Sequence, residues 1–499
     1  MPNNTRKRNL LQHAFVLRSD KLGQKVLYGV SFTFLGVFLR TVLTIGSTAM
    51  LARLLTPVDF GLIAMTAVVT EFAVLFGNFG FGSVLIQRRR ITRIQIDTVF
   101  WASILLGSAI TVAIFLSSFV ASSFFKEEVI GELLRVLCLI FLLTNITVIH
   151  NVILTRTMGF RTIFWIEIIS IFIRLSIAVF FAWEGYGVWS FVAGAFAGVI
   201  SKILFSQVFV RYWPRLRFNL VYLRTTWKTS ASYFGGGFLF YANTTFDLLL
   251  IGRMLGAAAL GFYQNSRSLT DEVRYRIAVP LQRVLFPAFS SQQNELLHLQ
   301  NSVRRSGRLL SCVVIPIGFG ISATSQEIVP ILYGQKWLDM IPILTFLGIN
   351  TAIRACASLS MPIFYSMNHV SINFKYNAVI TAITLIMIIA AVPMGIVAVS
   401  AAVAISSVLS IVVYWKSVKL LDISFVSFLS MFLPPLIASI LMWLLIFLLR
   451  YMLRDFDIAT GIIFSILVMV GAFIYSALLI LFSPKIYNEF KDVIYKLIH

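Results

Sequence analysis

The sequence predicts an all-α polytopic membrane protein with about fourteen transmembrane helices. They form two six-helix bundles in a parallel pseudo-two-fold repeat, followed by two C-terminal helices. Three observations carry this prediction. Of the 499 residues, 59% are hydrophobic and only 12% are charged, where a soluble chain carries roughly 25% charged residues. The apolar runs far exceed the ~10 residues of a barrel strand and reach the ~20 that cross a bilayer as a helix. A stretch near residue 51 also recurs at an offset of 200.

A basic segment, 1–26, holds Arg6, Lys7, Arg8, Arg18, Lys21 and Lys25 and leads into the first span without a cleavage signal. The first bundle, 27–210, has spans at 27–52, 58–86, 97–123, 129–153, 162–183 and 187–210. A linker, 211–225, precedes the second bundle, 226–418. Its spans are 226–253, 257–289, 306–332, 339–366, 373–393 and 395–418. Helices 13 and 14 fill 426–482 (spans 426–449 and 459–482), and 483–499 is a tail. Thr56-Pro57, Glu184-Gly185 and Pro393-Met394-Gly395 supply turn chemistry between spans. The ranges 58–86 and 257–289 exceed a minimal span and imply tilt, a kink or extension past the membrane. Pro280 and Pro287 are expected to kink the latter. The longest predicted loop is 290–305.

The net charge is +21. In a soluble chain that excess would suggest nucleic acid, but its placement here predicts no nucleic-acid partner. With the N-terminus inside, and basic residues near span ends counted with the adjoining side, 27 of the 41 Lys and Arg are assigned to the cytoplasm, six to the outside and eight to the spans. That asymmetry predicts both termini in the cytoplasm.

The repeat pairs Leu51-Ala-Arg-Leu-Leu-Thr-Pro-Val-Asp-Phe-Gly61 with Ile251-Gly-Arg-Met-Leu-Gly-Ala-Ala-Ala-Leu-Gly261, and Thr70-Glu71 with Thr270-Asp271. Gly187-Val188 and Gly395-Ile396 echo at an offset of 208. An even number of spans per copy gives both copies one orientation. The expected symmetry axis then follows the membrane normal, with the substrate site between the halves.

An ionisable residue inside a span costs about 2.5–3.5 kcal/mol on insertion scales, so it normally faces a cavity or a partner. The basic ones are Arg40, Arg135, Arg174, Lys202, Arg267, Arg274, Arg276 and Arg354; the acidic ones are Glu71, Glu167, Asp247, Asp271 and Glu272. The interior is thus net cationic. Residues 263–276 put polar groups on every face of one helix, which therefore borders a wet cavity. Arg267, Asp271 and Arg274 share a face, as a cavity lining or as a structural cluster. Arg40 sits in a small, polar stripe with Gly36, Thr44, Ser47 and Thr48. Glu167, Ser170 and Arg174 share a face, as an internal ion pair or a ligand site. Arg354 lies mid-span with Asn350 one turn away. Arg135 and Lys202 lie nearer span ends, where they can snorkel. Gly194-x-x-x-Gly198 reads as a packing motif.

Cys138, Cys312 and Cys356 lie in apolar runs and the five His show no ligand spacing, so no disulfide framework or metal site is expected. The sequence has no P-loop and no Ser/His/Asp arrangement, and no catalytic residue or cofactor is expected.

The run Leu51 to Gly61, Phe79-Gly-Phe-Gly82 with Leu85-Ile-Gln87, Val284-Leu-Phe-Pro-Ala-Phe289 and Tyr333-Gly-Gln-Lys-Trp337 resemble Wzx-type polysaccharide flippases. These belong to the multidrug/oligosaccharidyl-lipid/polysaccharide exporter superfamily, and the resemblance is nearest its colanic-acid and exopolysaccharide members. It spans nearly the whole chain. It implies a bacterial inner-membrane protein that translocates undecaprenyl-diphosphate-linked oligosaccharide repeat units by alternating access. The partners implied are that lipid-linked substrate, membrane lipid, and a polymerase and chain-length regulator of the same pathway. For such a cargo the cavity candidates are Arg40, Arg174, Arg267, Arg274 and Arg354, with Glu71, Asp247 and Asp271 as coupling or ion-pair acids. A multidrug/cation antiporter of the same superfamily is the alternative, although it calls for an anionic cavity. A membrane polysaccharide polymerase would need a large outer loop or a nucleotide-sugar domain, and neither is present.

Overall fold

The computed structural model describes residues 22–77, 81–88, 90–456 and 458–483. The segments 1–21 and 484–499 lie outside the described residues, as do Phe79 and Gly80 of the Phe79-Gly-Phe-Gly82 motif. The chain divides into two compact units, Met1–Ala257 and Ala258–His499.

The first unit holds α1 (Leu22–Leu54), α2 (Pro57–Gly77), α3 (Phe81–Gln87), α4 (Arg93–Phe125), α5 (Glu128–Leu137), α6 (Leu139–Ile146), α7 (Val148–Arg156), α8 (Phe160–Trp183) and α9 (Trp189–Val210). Next comes α10 (Leu220–Val273), whose helical geometry is interrupted at Gly256. The second unit continues through a π-helical turn, Arg274–Ala278, to α11 (Val279–Ser291), α12 (Leu296–Ala323), α13 (Ser325–Leu332), α14 (Met340–Ala357) and α15 (Ser360–Ser366). It ends with α16 (Val370–Ala391), α17 (Ile396–Lys419), α18 (Phe425–Leu429), α19 (Leu433–Leu453) and α20 (Thr460–Phe482). Among the described residues, twelve helices are long and apolar enough to cross a membrane. The predicted range 58–86 covers α2 and, beyond the undescribed residues 78–80, most of α3, and 226–253 falls on α10 before Gly256.

Turn residues act where the sequence placed them. Thr56 and Asp59 cap α2 reciprocally: the Thr56 N–H donates to Asp59 Oδ2 at 2.9 Å, and the Asp59 N–H donates to Thr56 Oγ1 at 3.3 Å. At the repeat-equivalent position Gly256 makes the break instead, with φ +84°, a conformation that suits a residue without Cβ. Gly187 and Gly395 have φ +53° and +90° and turn the chain into α9 and α17.

Small residues set the closest helix approaches. A Cβ on Gly194 would lie 2.7 Å from the Arg174 carbonyl oxygen, and one on Gly198 would lie 2.9 Å from Arg174 Cβ. The Gly194-x-x-x-Gly198 motif therefore seats α9 against α8. Gly318 of α12 and Gly348 of α14 face each other in the same way: each Cβ would come within 2.8 Å of the other's carbonyl oxygen. The three cysteines are buried. Large apolar side chains such as Val120, Phe172 and Phe473 face outward, at 70%, 59% and 75% exposure. Hydrocarbon is the solvent in which such a surface is stable.

The structure corrects several boundaries. The predicted loop 290–305 is helical from Leu296 onward. Its basic residues lower the hydropathy, but Leu299, Val303 and Leu310 keep helical spacing and are buried. The predicted range 306–332 breaks at Thr324, and 339–366 breaks between α14 and α15. The eighth predicted span changes pitch at Arg274–Ala278, ahead of Pro280. Proline removes the N–H that would bond the Arg276 carbonyl and crowds that carbonyl. A shift to i→i+5 bonding accommodates it: the Val279 N–H bonds the Arg274 carbonyl.

A cationic candidate substrate site in apolar helices

Arg267, Asp271 and Arg274 meet at the end of α10. Asp271 Oδ2 lies 3.3 Å from Arg267 Nε, and Oδ1 lies 3.8 Å from Arg274 Nε. The three side chains are 14%, 19% and 13% exposed. Their i, i+4 and i+7 spacing stacks them on one helix face. Arg274 also lies over the Tyr275 ring, 5.0 Å from its centroid. Beside the cluster, Arg276 Nε donates to Glu272 Oε2 at 2.6 Å. The cluster itself sets two guanidiniums on one carboxylate, and the Arg276–Glu272 pair beside it is neutral.

The helix carrying Arg354, α14, packs against the π-helical turn that begins at Arg274. Arg354 is half-buried, and Asn350 one turn earlier is buried. In the first unit Arg40 of α1 forms an ion pair with Glu167 of α8, with both side chains partly exposed. Arg174 lies two turns further along α8; its stem crosses Gly198 while the residue as a whole is exposed. Glu71 is exposed on α2. Its neighbour Phe72 packs on Tyr241, whose hydroxyl donates to the Val68 carbonyl at 2.6 Å. Asp247 is half-buried in α10, where its Oδ1 accepts the Leu248 N–H at 2.9 Å. The structure thus gathers Arg267, Asp271 and Arg274 and brings Arg354's helix alongside them; Arg40 and Arg174 belong to the first unit. Among the described residues, no group of three His, Cys, Asp or Glu is arranged to hold a metal ion.

Several polar contacts escaped sequence reasoning. Glu167 carried a signal as a mid-span acid, but its partner lies 127 residues away. Arg156 is buried and donates to the carbonyls of Leu85 and Arg88 at 2.6 Å, closing the end of α3. Asp97 is fully buried, accepting from the Tyr212 hydroxyl at 2.6 Å, with Arg93 Nε at 3.4 Å. Arg253 donates to the Phe124 carbonyl and covers its ring. Arg135 stacks over Phe119.

The fold resembles two solved multi-helix membrane proteins. It is similar to the lipid II flippase MurJ in an inward closed conformation, with a TM-score of 0.71 and 16% identity over 92% of this chain and 100% of that one. It is also similar to an inward-facing multidrug resistance MATE family transporter of the MOP superfamily, with a TM-score of 0.55 and 14% identity over 77% of this chain and 95% of that one. Residues 50–342 match the family described as "Polysaccharide biosynthesis protein", and the chain belongs to that family. Two relatives are the teichuronic acid biosynthesis protein TuaB of Bacillus subtilis and the lipopolysaccharide biosynthesis protein WzxC of Escherichia coli. TuaB is 26% identical over 93% of this chain and 96% of its own length. WzxC is 24% identical over 71% of this chain and 73% of its own.

Proposed function

We propose that this protein is a flippase for lipid-linked oligosaccharides, carrying undecaprenyl-diphosphate-linked repeat units across the bacterial inner membrane for polysaccharide export. The observation that supports it most directly is the Arg267–Asp271–Arg274 cluster, two arginines on one carboxylate in a helix stretch with polar groups on every face, in a polysaccharide biosynthesis family member. A diphosphate and its sugars would be left unsolvated in hydrocarbon. Arginine meets the phosphates with paired donors and keeps its charge in any environment. A cationic cavity lined by Arg40, Arg174, Arg267, Arg274 and Arg354 opens alternately to the two faces of the membrane, while the polyprenyl tail stays in lipid. The six-helix bundles 27–210 and 226–418 are the moving parts, and 426–482 is an addition to them. Glu71, Asp247 and Asp271 are the acids available for ion coupling. Both termini are cytoplasmic and the chain performs no covalent chemistry. A polymerase and a chain-length regulator act on its product.

Deleting the gene is expected to stop polymer export and to accumulate lipid-linked repeat units on the cytoplasmic leaflet. Arg267→Ala and Arg354→Ala, at wild-type protein levels, are each expected to reduce export. Normal export in both variants would show the cavity assignment to be wrong.

A further inference from the structure

Asp271 bridges Arg267 and Arg274 with one carboxylate oxygen toward each guanidinium, at 3.3 Å and 3.8 Å. An anion seeking these two arginines meets a carboxylate already in place. That carboxylate is tethered on the same helix, so its effective concentration at the arginines is about millimolar or higher. Exchanging it for another monoanion gains no charge attraction and gives up the tether. A diphosphate brings at least two negative charges and more acceptor oxygens, and it can engage both guanidiniums bidentately. The neighbouring Arg276 is occupied by Glu272 at 2.6 Å and does not change this balance.

We infer that Asp271 is a specificity residue: a resident counter-ion that keeps monoanionic phosphodiester headgroups off Arg267 and Arg274 and yields to a lipid diphosphate. This rests on the flippase reading, which supplies the diphosphate cargo. A bilayer presents phosphodiester headgroups in large excess over any lipid-linked intermediate, so a cationic site exposed to lipid needs such discrimination.

The test measures binding of two probes, farnesyl diphosphate and dioctanoyl phosphatidylglycerol, to the purified full-length protein in neutral detergent. Wild type is expected to prefer the diphosphate by about tenfold or more. Asp271→Asn is expected to bind phosphatidylglycerol about tenfold more tightly and to lose most of that preference. Asp271→Glu is expected to retain it. An unchanged preference in Asp271→Asn, or an equal weakening of both probes, overturns the counter-ion role. Should Asp271→Asn fail to accumulate, wild type alone decides: comparable affinity for the two probes overturns the role. Failure of the flippase reading looks different, because wild type then binds neither probe and the inference falls with it.

Discussion

Arg450 of α19 grips Glu327 of α13 with two parallel hydrogen bonds, Nε to Oε1 at 2.7 Å and Nη2 to Oε2 at 2.8 Å, across 123 residues of sequence. Glu327 is 6% exposed and Arg450 17%. The same Nη2 donates to the Ala323 carbonyl at the end of α12, and Trp443 Nε1 donates to Ser322 Oγ at 3.2 Å. The helix α19 is therefore fastened to α12 and α13 by polar contacts as well as by the apolar cluster that Ala438, Met442 and Ile446 share with Cys312 and Ala323.

Removing one partner of a buried pair strands the other, at a cost of about 3–5 kcal/mol. Glu327→Ala and Arg450→Ala are each expected to lower thermal stability in detergent by a comparable amount, and the double variant by less than their sum. Additive losses in a double-mutant cycle would show that the two residues act independently.

Arg40 and Glu167 can be separated by charge reversal. Restoring the pair as Arg40→Glu with Glu167→Arg is expected to recover protein level but not polymer export. A cargo site needs the positive charge on α1, whereas a purely structural pair works in either orientation. Export restored along with protein level would assign the pair to structure alone.

Gly348→Ala is expected to destabilise the second unit. The added Cβ would lie 2.8 Å from the Gly318 carbonyl oxygen and 3.0 Å from the Ser322 backbone nitrogen. Neither atom can move without moving α12. Overpacking of this kind costs about 1–3 kcal/mol, readable as a lower unfolding temperature.

Burial, then the hydrogen bond to Asp97, raises the Tyr212 phenol above its ordinary value of about 10. The unfolded chain ionises this group first. The stabilisation is thus fully present below about pH 10 and is lost as pH rises past it. Tyr212→Phe is expected to lose about 1–3 kcal/mol at neutral pH, because Asp97 forfeits a donor, and to show a shallower alkaline decline. Thermal unfolding followed from pH 7 to pH 11 measures both.

The helices were legible because each is long, apolar and bounded by turn residues. The interruption at Gly256 falls between the predicted spans 226–253 and 257–289, and the glycines of the second echo, Gly187 and Gly395, precede helix starts. The extension of α12 below 306 was obscured because Arg304, Arg305 and Arg308 depress hydropathy without disturbing the buried stripe of Leu299, Val303 and Leu310. The Arg267–Asp271–Arg274 cluster was legible because its geometry is local to one helix face. Arg40–Glu167 and Arg450–Glu327 were not, because nothing in either residue's neighbourhood specifies which distant helix answers its charge.

The sequence by itself determined the helical membrane class, the two-copy plan and the local excess of arginine, since hydrophobic period, turn chemistry and i, i+4 spacing are short-range properties. Only the tertiary structure decided which charges are neutralised, and by what. Arg40 proved to be paired with Glu167, Arg450 with Glu327, and Asp97 with Tyr212 and Arg93. Ion pairing between helices depends on rotation and depth at contacts more than a hundred residues apart, and those are set by the packing of whole faces such as Gly318 on Gly348.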